Sequence, residues 1–252
     1  MSTVKISAAT AVGTLGDSHV LPLGNVGNSE ANKVTVATLA QYAAKYCSGL
    51  MVLMANSDKY PRCCELSYWL SNYSTGTSYQ PIGLVVASGT KKIVMALTEP
   101  DAGTMYWSSS SGLYNTAITK WKTAMEDFDG EGNTANIALT ESDYAVGYCY
   151  TYSAAGDGGY GIAAGSWYLP AVGELQLILS RYTAINWALT AIGNAGWTTT
   201  LLQRAYYWSS SECSATNAWL VSVIAGNVNY GTKVSYLCRV RPCAALQELV
   251  TV

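Results

Sequence analysis

The chain has 252 residues, half of them apolar, with 14 Lys and Arg against 16 Asp and Glu for a net charge of −2. That allows one sizeable core and excludes a disordered chain. The basic residues form no stripe, so the footprint of a nucleic-acid or anionic-membrane binder is missing, and the longest apolar run, Leu50 to Ala55, is far too short to cross a bilayer.

Residues 1–46 are rich in Gly, Ser, Thr and Asn, with apolar islands at Val20-Leu21-Pro22-Leu23 and Val34 to Val36. Thr38 to Tyr46 reads as a short helix with Thr38 near its N-cap. A segment this poor in apolar surface is expected to order against a partner or another copy. Residues 47–252 read as one compact domain. Ile82 to Val86 and Lys92 to Leu97 are β-rich runs, and Ser88-Gly89-Thr90-Lys91 between them makes a hairpin turn. Asp127 to Thr134 lacks the acidic spacing of a calcium-binding EF-hand loop and reads as a turn-rich loop. Pro170 suits a first helical turn, with Leu175, Ile178, Leu179 and Tyr182 at helical spacing. Thr183 is placed to cap a second helix that carries Ile185, Trp187, Leu189 and Ile192 and closes at Gly193. Tyr-Trp-Ser-Ser-Ser occurs at 106–110 and again at 207–211, which implies recurrent local packing rather than a solenoid.

The composition is lopsided towards 19 Tyr and 8 Trp, with one Phe. Tyr and Trp carry a polar atom on a large apolar body, which suits a binding surface and equally a Tyr-rich sheet core. The cysteines (47, 63, 64, 149, 213, 238 and 243) are odd in number, lack zinc spacing, and follow no charged-then-apolar leader. Free thiols, no metal and no cofactor are expected, and assembly in a cytoplasm. One histidine, His19, sits in the polar N-terminal stretch, where a surface loop residue is a better reading than a catalytic base; no enzyme is expected.

Near the C-terminus Trp219, Val221 and Val223 share one parity, and Leu220, Ser222 and Ile224 the other. Period two predicts one set against the core and one facing away. The turn Ala225-Gly226-Asn227 leads to a strand region from Val228 to Tyr236, and a last strand runs from Arg239 to Ala245. The second set has no common polarity, unlike an ordinary solvated face.

Gly165-Ser166-Trp167-Tyr168-Leu169-Pro170, Gly173-Glu174-Leu175, Tyr207-Trp208-Ser209-Ser210-Ser211-Glu212, Ala218-Trp219, Gly226-Asn227-Val228-Asn229 and Val240-Arg241-Pro242 occur in that order. Over roughly residues 50 to 246 the chain resembles the variable proteins of diversity-generating retroelements, most nearly those of Bacteroides-type gut bacteria and their phages. The resemblance implies an α+β, C-type-lectin-like fold with antiparallel sheets and two helices. It also implies a variable region at about 206–245, where a reverse transcriptase randomises template adenines. Codons varied in that way reach no Met, Trp, Lys, Gln or Glu. The ligand-binding positions it implies are Cys213, Leu220, Ser222, Ile224, Ala225, Tyr230, Gly231, Thr232, Val234, Ser235, Tyr236 and Leu237. Cys213 and Cys238 stand where Tyr is expected, one adenine change away; ordinary half-buried thiols are the alternative.

Ile6-Ser7-Ala8-Ala9-Thr10, Asp17, Val20 to Leu23 and Lys33 to Leu39 are similar to the leading segments of phage tail-fibre proteins. That likeness implies attachment to phage tail components through residues 1–46, a homotrimer, and a place in the virion. The partner at the other end would be a host cell-surface protein or glycan. A bacterial cell-surface or pilus-tip adhesin of the same fold is the alternative. Glu99-Pro100-Asp101 nearly matches a calcium-lectin tripeptide but lacks its Trp-Asn-Asp partner, and the paired cysteines of a related oxidase have no counterpart here.

Overall fold

The computed structural model describes residues 20–23, 32–35, 50–55, 62–76, 78–88, 91–137, 142–155, 161–224 and 226–246. The chain divides into two compact units, Met1–Gly49 and Leu50–Val252. In the first, β1 (Val20–Leu23) pairs antiparallel with β2 (Asn32–Thr35), Val20 opposite Thr35 and Leu23 opposite Asn32. The helix expected at 38–46, His19 and Cys47 lie outside the described residues.

The second unit is α+β, with antiparallel sheets and six helices among the described residues. Its large sheet combines β3 (Leu50–Met54), β4 (Arg62–Glu65), β5 (Pro81–Ser88), β6 (Lys91–Ala96), β9 (Trp167–Tyr168) and β13 (Cys243–Ala245) in the order β4-β3-β5-β6-β13-β9. The expected hairpin is present, with Ser88 opposite Lys91. Both faces of this sheet are buried. Val52, Leu84, Val86, Ile93 and Met95 join the main core, while Leu53, Val85, Val94 and Ala96 pack with Trp167 on the other side. That is why these strands read as continuous apolar runs. Helix α1 (Leu66–Asn72) follows β4 directly, and α2 (Trp121–Ala124) is a single turn. A two-residue pair, β7 (Ala154–Ala155) with β8 (Gly161–Ile162), completes the small elements.

Where a turn-rich loop is expected at 127–134, a helix α3 (Gly130–Ile137) begins instead. The cause is Asp129, whose carboxylate accepts the Gly132 N–H at 3.1 Å as an N-cap does. Gly130 has to be glycine there, because a Cβ would lie 2.3 Å from the Glu174 carboxylate. Helix α4 spans Ala145–Thr151. Helix α5 (Val172–Ser180) starts after Pro170 and Ala171, so the proline precedes the first turn rather than occupying it. Helix α6 runs Tyr182–Asn194, with Arg181 as the one residue between the two helices. Thr183 therefore lies inside the first turn of α6, and the left-handed residue beyond its end is Gly196, φ +95°, not Gly193.

Glu174 ties these pieces together. Its buried carboxylate accepts the Ala171 N–H at 2.9 Å and the Tyr168 hydroxyl at 3.0 Å, and a bond from the Gly130 backbone. Burial raises its pKa to about 7, against the lowering effect of those donors. The folded state therefore holds this proton more tightly than the unfolded chain does, so the stabilisation is full below about pH 4.5 and is lost as pH rises through about 7. Glu174→Gln should thus gain in urea midpoint relative to the native chain between pH 5 and pH 8. Parallel curves for the two proteins would mean that Glu174 is ionised throughout.

Candidate functional site

The C-terminal sheet has three antiparallel strands in the order β10 (Tyr206–Glu212), β11 (Asn217–Ser222), β12 (Val228–Thr232). Trp219 lies opposite Tyr230, Leu220 opposite both Trp208 and Asn229, and Val221 opposite Tyr207 and Val228. The parity read from the sequence is present, but β11 has no wet side. Trp219 and Val221 enter the main core below α5 and α6, while Ala218 and Leu220 enter a second core around Trp107, Val146, Leu169 and Trp208. Leu220 and Ser222 are each only 2% exposed, which corrects their expected outward placement.

Gly231 is also buried, and a Cβ there would come within 2.9 Å of the Trp208 ring and 3.0 Å of Tyr236. It is a position of close approach rather than display. Cys213 is half-buried, packs against the main core, and has its thiol pKa pushed up by that burial. Cys238 is buried in the second core, its backbone paired with Met105. The six described cysteines are free thiols.

The remaining positions are exposed: Ile224, Tyr230, Thr232, Val234, Ser235, Tyr236 and Leu237; Ala225 lies outside the described residues. All but Ile224 lie on β12 or the turn after it. Ile224 sits at the opposite end of the hairpin, next in sequence to a groove of about 440 Å³ between α5 and Val221, Ser222, Val223 and Gly226, whose lining, with Phe128 and Leu177, carries no charge. Among the described residues no strand pairs with the outer edge of β12. The outer edge of β10, by contrast, is closed by Arg239, which bridges Tyr207 in parallel.

Two aromatic pairs straddle β12. Tyr230 stands edge-on to Trp219 on one face, ring centroids 5.8 Å apart, and Tyr236 edge-on to Trp208 on the other at 6.1 Å. Tyr206 extends the second pair, 6.5 Å from Tyr236. Tyr106 is exposed on a segment whose neighbours Met105 and Trp107 bond to Cys238 and Lys233. Neither Tyr106 nor Tyr206 was among the expected positions. The repeated Tyr-Trp-Ser-Ser-Ser does not flag them, since its second tyrosine, Tyr207, is buried; what it marks is a cross-link in which Trp107 Nε1 donates to Ser209 O and Trp208 Nε1 to Met105 O.

Two buried carboxylates hold this region. Glu212, at the end of β10, accepts from Lys233 Nζ and from the backbone N–H groups of Tyr114 and Asn115. Burial lowers the Lys233 pKa, and Glu212 opposes that effect. Glu99 accepts from Arg241 and Arg239 at 2.7 Å each and from the Tyr207 hydroxyl at 2.8 Å. Both Glu99 oxygens are thus engaged by Arg239, Arg241 and Tyr207, so within its tripeptide this carboxylate serves to hold the fold. Among the described residues no three His, Cys, Asp or Glu side chains are grouped as metal ligands, and no helix is long and apolar enough to cross a membrane.

No protein-family model and no curated protein matches the chain. Among solved structures it is similar to a fimbrial protein from Bacteroides ovatus, at 17% identity and a TM-score of 0.45. The match covers 86% of this chain and 47% of that one, so the chain spans about half the length of the protein it matches. A likeness that slight carries no argument about function.

Two-sided burial of β11 sets unequal costs of substitution. Leu220→Ala should lose about 3 kcal/mol and Gly231→Ala about 1 to 2 kcal/mol by overpacking, whereas Thr232→Ala and Ser235→Ala stay within about 0.5 kcal/mol. Urea unfolding at unchanged m-value reads these differences. Equal losses at Leu220 and Thr232 would contradict the assignment.

Proposed function

We propose that the chain is a retroelement-diversified, ligand-binding adhesin with a C-type-lectin-like domain, and that its binding face is the edge strand β12 with the turn 233–237. The observation that carries this reading is one of placement. Tyr230, Thr232, Val234, Ser235, Tyr236 and Leu237 are exposed side by side on a backbone held from beneath, and no charged residue is exposed between Cys213 and Cys238. Tyrosines that keep their rings braced while presenting hydroxyls are efficient contact residues, because little rotamer freedom is lost on binding. Tyr236 and Tyr230 are the anchors, with Tyr206 and Tyr106 as fixed neighbours. The ordered motifs and the set of residue types at the exposed positions support diversification. The likeness of residues 1–46 to tail-fibre leaders supports carriage on a phage tail and contact with a host cell surface. Copies joined through that segment would add avidity of about 10² or more to weak single sites. No catalytic chemistry and no cofactor enters this reading.

The genomic test is direct. A reverse-transcriptase gene and a near-copy of the 206–245 coding sequence should lie beside the gene, and isolates should differ at the exposed positions while Leu220, Gly231 and Lys233 stay constant. The binding test uses the labelled full chain on a panel of intact bacterial cells. On any strain the native protein binds, Tyr230→Ala with Tyr236→Ala should weaken binding tenfold or more while the protein still unfolds in one cooperative transition well above the assay temperature. Full binding by that variant would place the face elsewhere. Antibody labelling of virions and of cells separates a tail protein from a cell-surface or pilus-tip one.

A further inference from the structure

We propose that Lys233 is the positioning residue of this face: it fixes the path of the turn that follows it, whichever side chains the turn displays. The proposal rests on the reading of that turn as the binding face. Lys233 is the only charged residue between Cys213 and Cys238, and it stands directly after the edge strand, where a solvated lysine would be unremarkable in sequence. Instead its side chain and that of Glu212 are both 0% exposed. The ammonium donates to Glu212 Oε1 and to the Gly112 carbonyl, and it lies 4.6 Å from the Trp107 ring centroid and 5.6 Å from that of Tyr114. Its backbone is held as firmly. The Lys233 N–H donates to Thr216 O at 3.0 Å, and its carbonyl accepts from Trp107 N at 2.9 Å. One residue thereby joins the end of β10, the β10–β11 turn, residues 107–108 and residues 112–114.

Beyond Lys233 the chain turns back at once. Tyr236 N–H donates to Thr232 O at 3.0 Å, and Cys238 exchanges two backbone bonds with Met105. Val234 to Leu237 are therefore an exposed span of four residues clamped at both ends, and the hydrogen bonds of the clamp come from backbone groups and from Lys233, not from the four side chains. A buried ion pair is a weak source of net stability, because removing two charges from water offsets most of their attraction. What it supplies is direction. An apolar side chain of the same length would fill the space without selecting one carbonyl, one carboxylate and one ring face.

The experiment is residue-resolved amide hydrogen exchange on the full chain, which needs no ligand and so fails or succeeds apart from the binding reading. Lys233→Met with Glu212→Gln removes both charges together and leaves no lone buried ion. The expected result is an unfolding midpoint near the native one, while exchange at Tyr236 speeds up tenfold or more and the amides of Trp219 and Val221 keep their native rates. Native exchange at Tyr236 in that variant, or a uniform rise at all these amides, would overturn the proposal. A second protein guards against a variant that does not fold: Val234, Ser235, Tyr236 and Leu237 all replaced by Ala, with Lys233 kept. Trp107 and Lys233 amides should then exchange at native rates. A tenfold rise there would show that the displayed side chains hold Lys233, and not the reverse.

Discussion

Strand β11 is packed on both faces, Trp219 and Val221 into the core beneath the helices, Ala218 and Leu220 into the core around Trp107 and Trp208. The edge strand β12 and its turn depend on that strand for their position, through the ladder from Val221–Val228 to Asn217–Thr232. A strand with two dry sides accepts few substitutions on either, since each large-to-small change leaves a cavity. Freedom to vary is therefore displaced by one strand, from β11 to the edge. At the edge and in its turn the exposed tyrosines touch the core through an aromatic neighbour, Tyr230 through Trp219 and Tyr236 through Trp208.

The same logic explains why buried charge appears where it does. Glu212 holds Lys233 at the start of the exposed turn, and Glu99 holds Arg239 and Arg241 just past its end. Both carboxylates come from segments remote in sequence from the residues they bind, 21 positions for the first and 140 or more for the second. Hydrogen-bonded ion pairs select a register that a greasy contact would leave loose. The path from Lys233 to Arg241 is thus set by its ends, and of the side chains between them Val234 to Leu237 are left to solvent while Cys238 and Val240 are buried.

Much of this was legible in the residues, and the failures share a cause. The hairpin of β5 and β6 and the helices α5 and α6 announce themselves by turn chemistry and by period. Helix α3 does not, because Asp129-Gly130-Glu131-Gly132-Asn133 has the composition of a turn, and only tertiary contact with Glu174 explains the glycine at 130. Alternation along β11 does not distinguish a wet face from a second core. Trp219 to Ile224 holds one polar residue, Ser222, and such a run fits a strand between two cores as well as one at a surface. Gly231 and Lys233 carried weak signals: a glycine inside a strand, which marks close approach, and one lysine in a long uncharged stretch. The exposure of Tyr106 depends on residues a hundred or more positions away, Lys233 and Cys238, and no local pattern reports it.

The central claim is that tolerance to substitution follows the edge and not the parity of β11. A displayed library in which the twelve expected positions and Lys233 are randomised one at a time, sorted only for retained folding, measures this without any ligand. The account predicts that Thr232, Val234, Ser235, Tyr236 and Leu237 accept most residue types, while Leu220, Ser222, Gly231 and Lys233 accept few. A folded population that admits polar and charged residues at Leu220 and Ser222 as freely as at Val234 and Ser235 would contradict it.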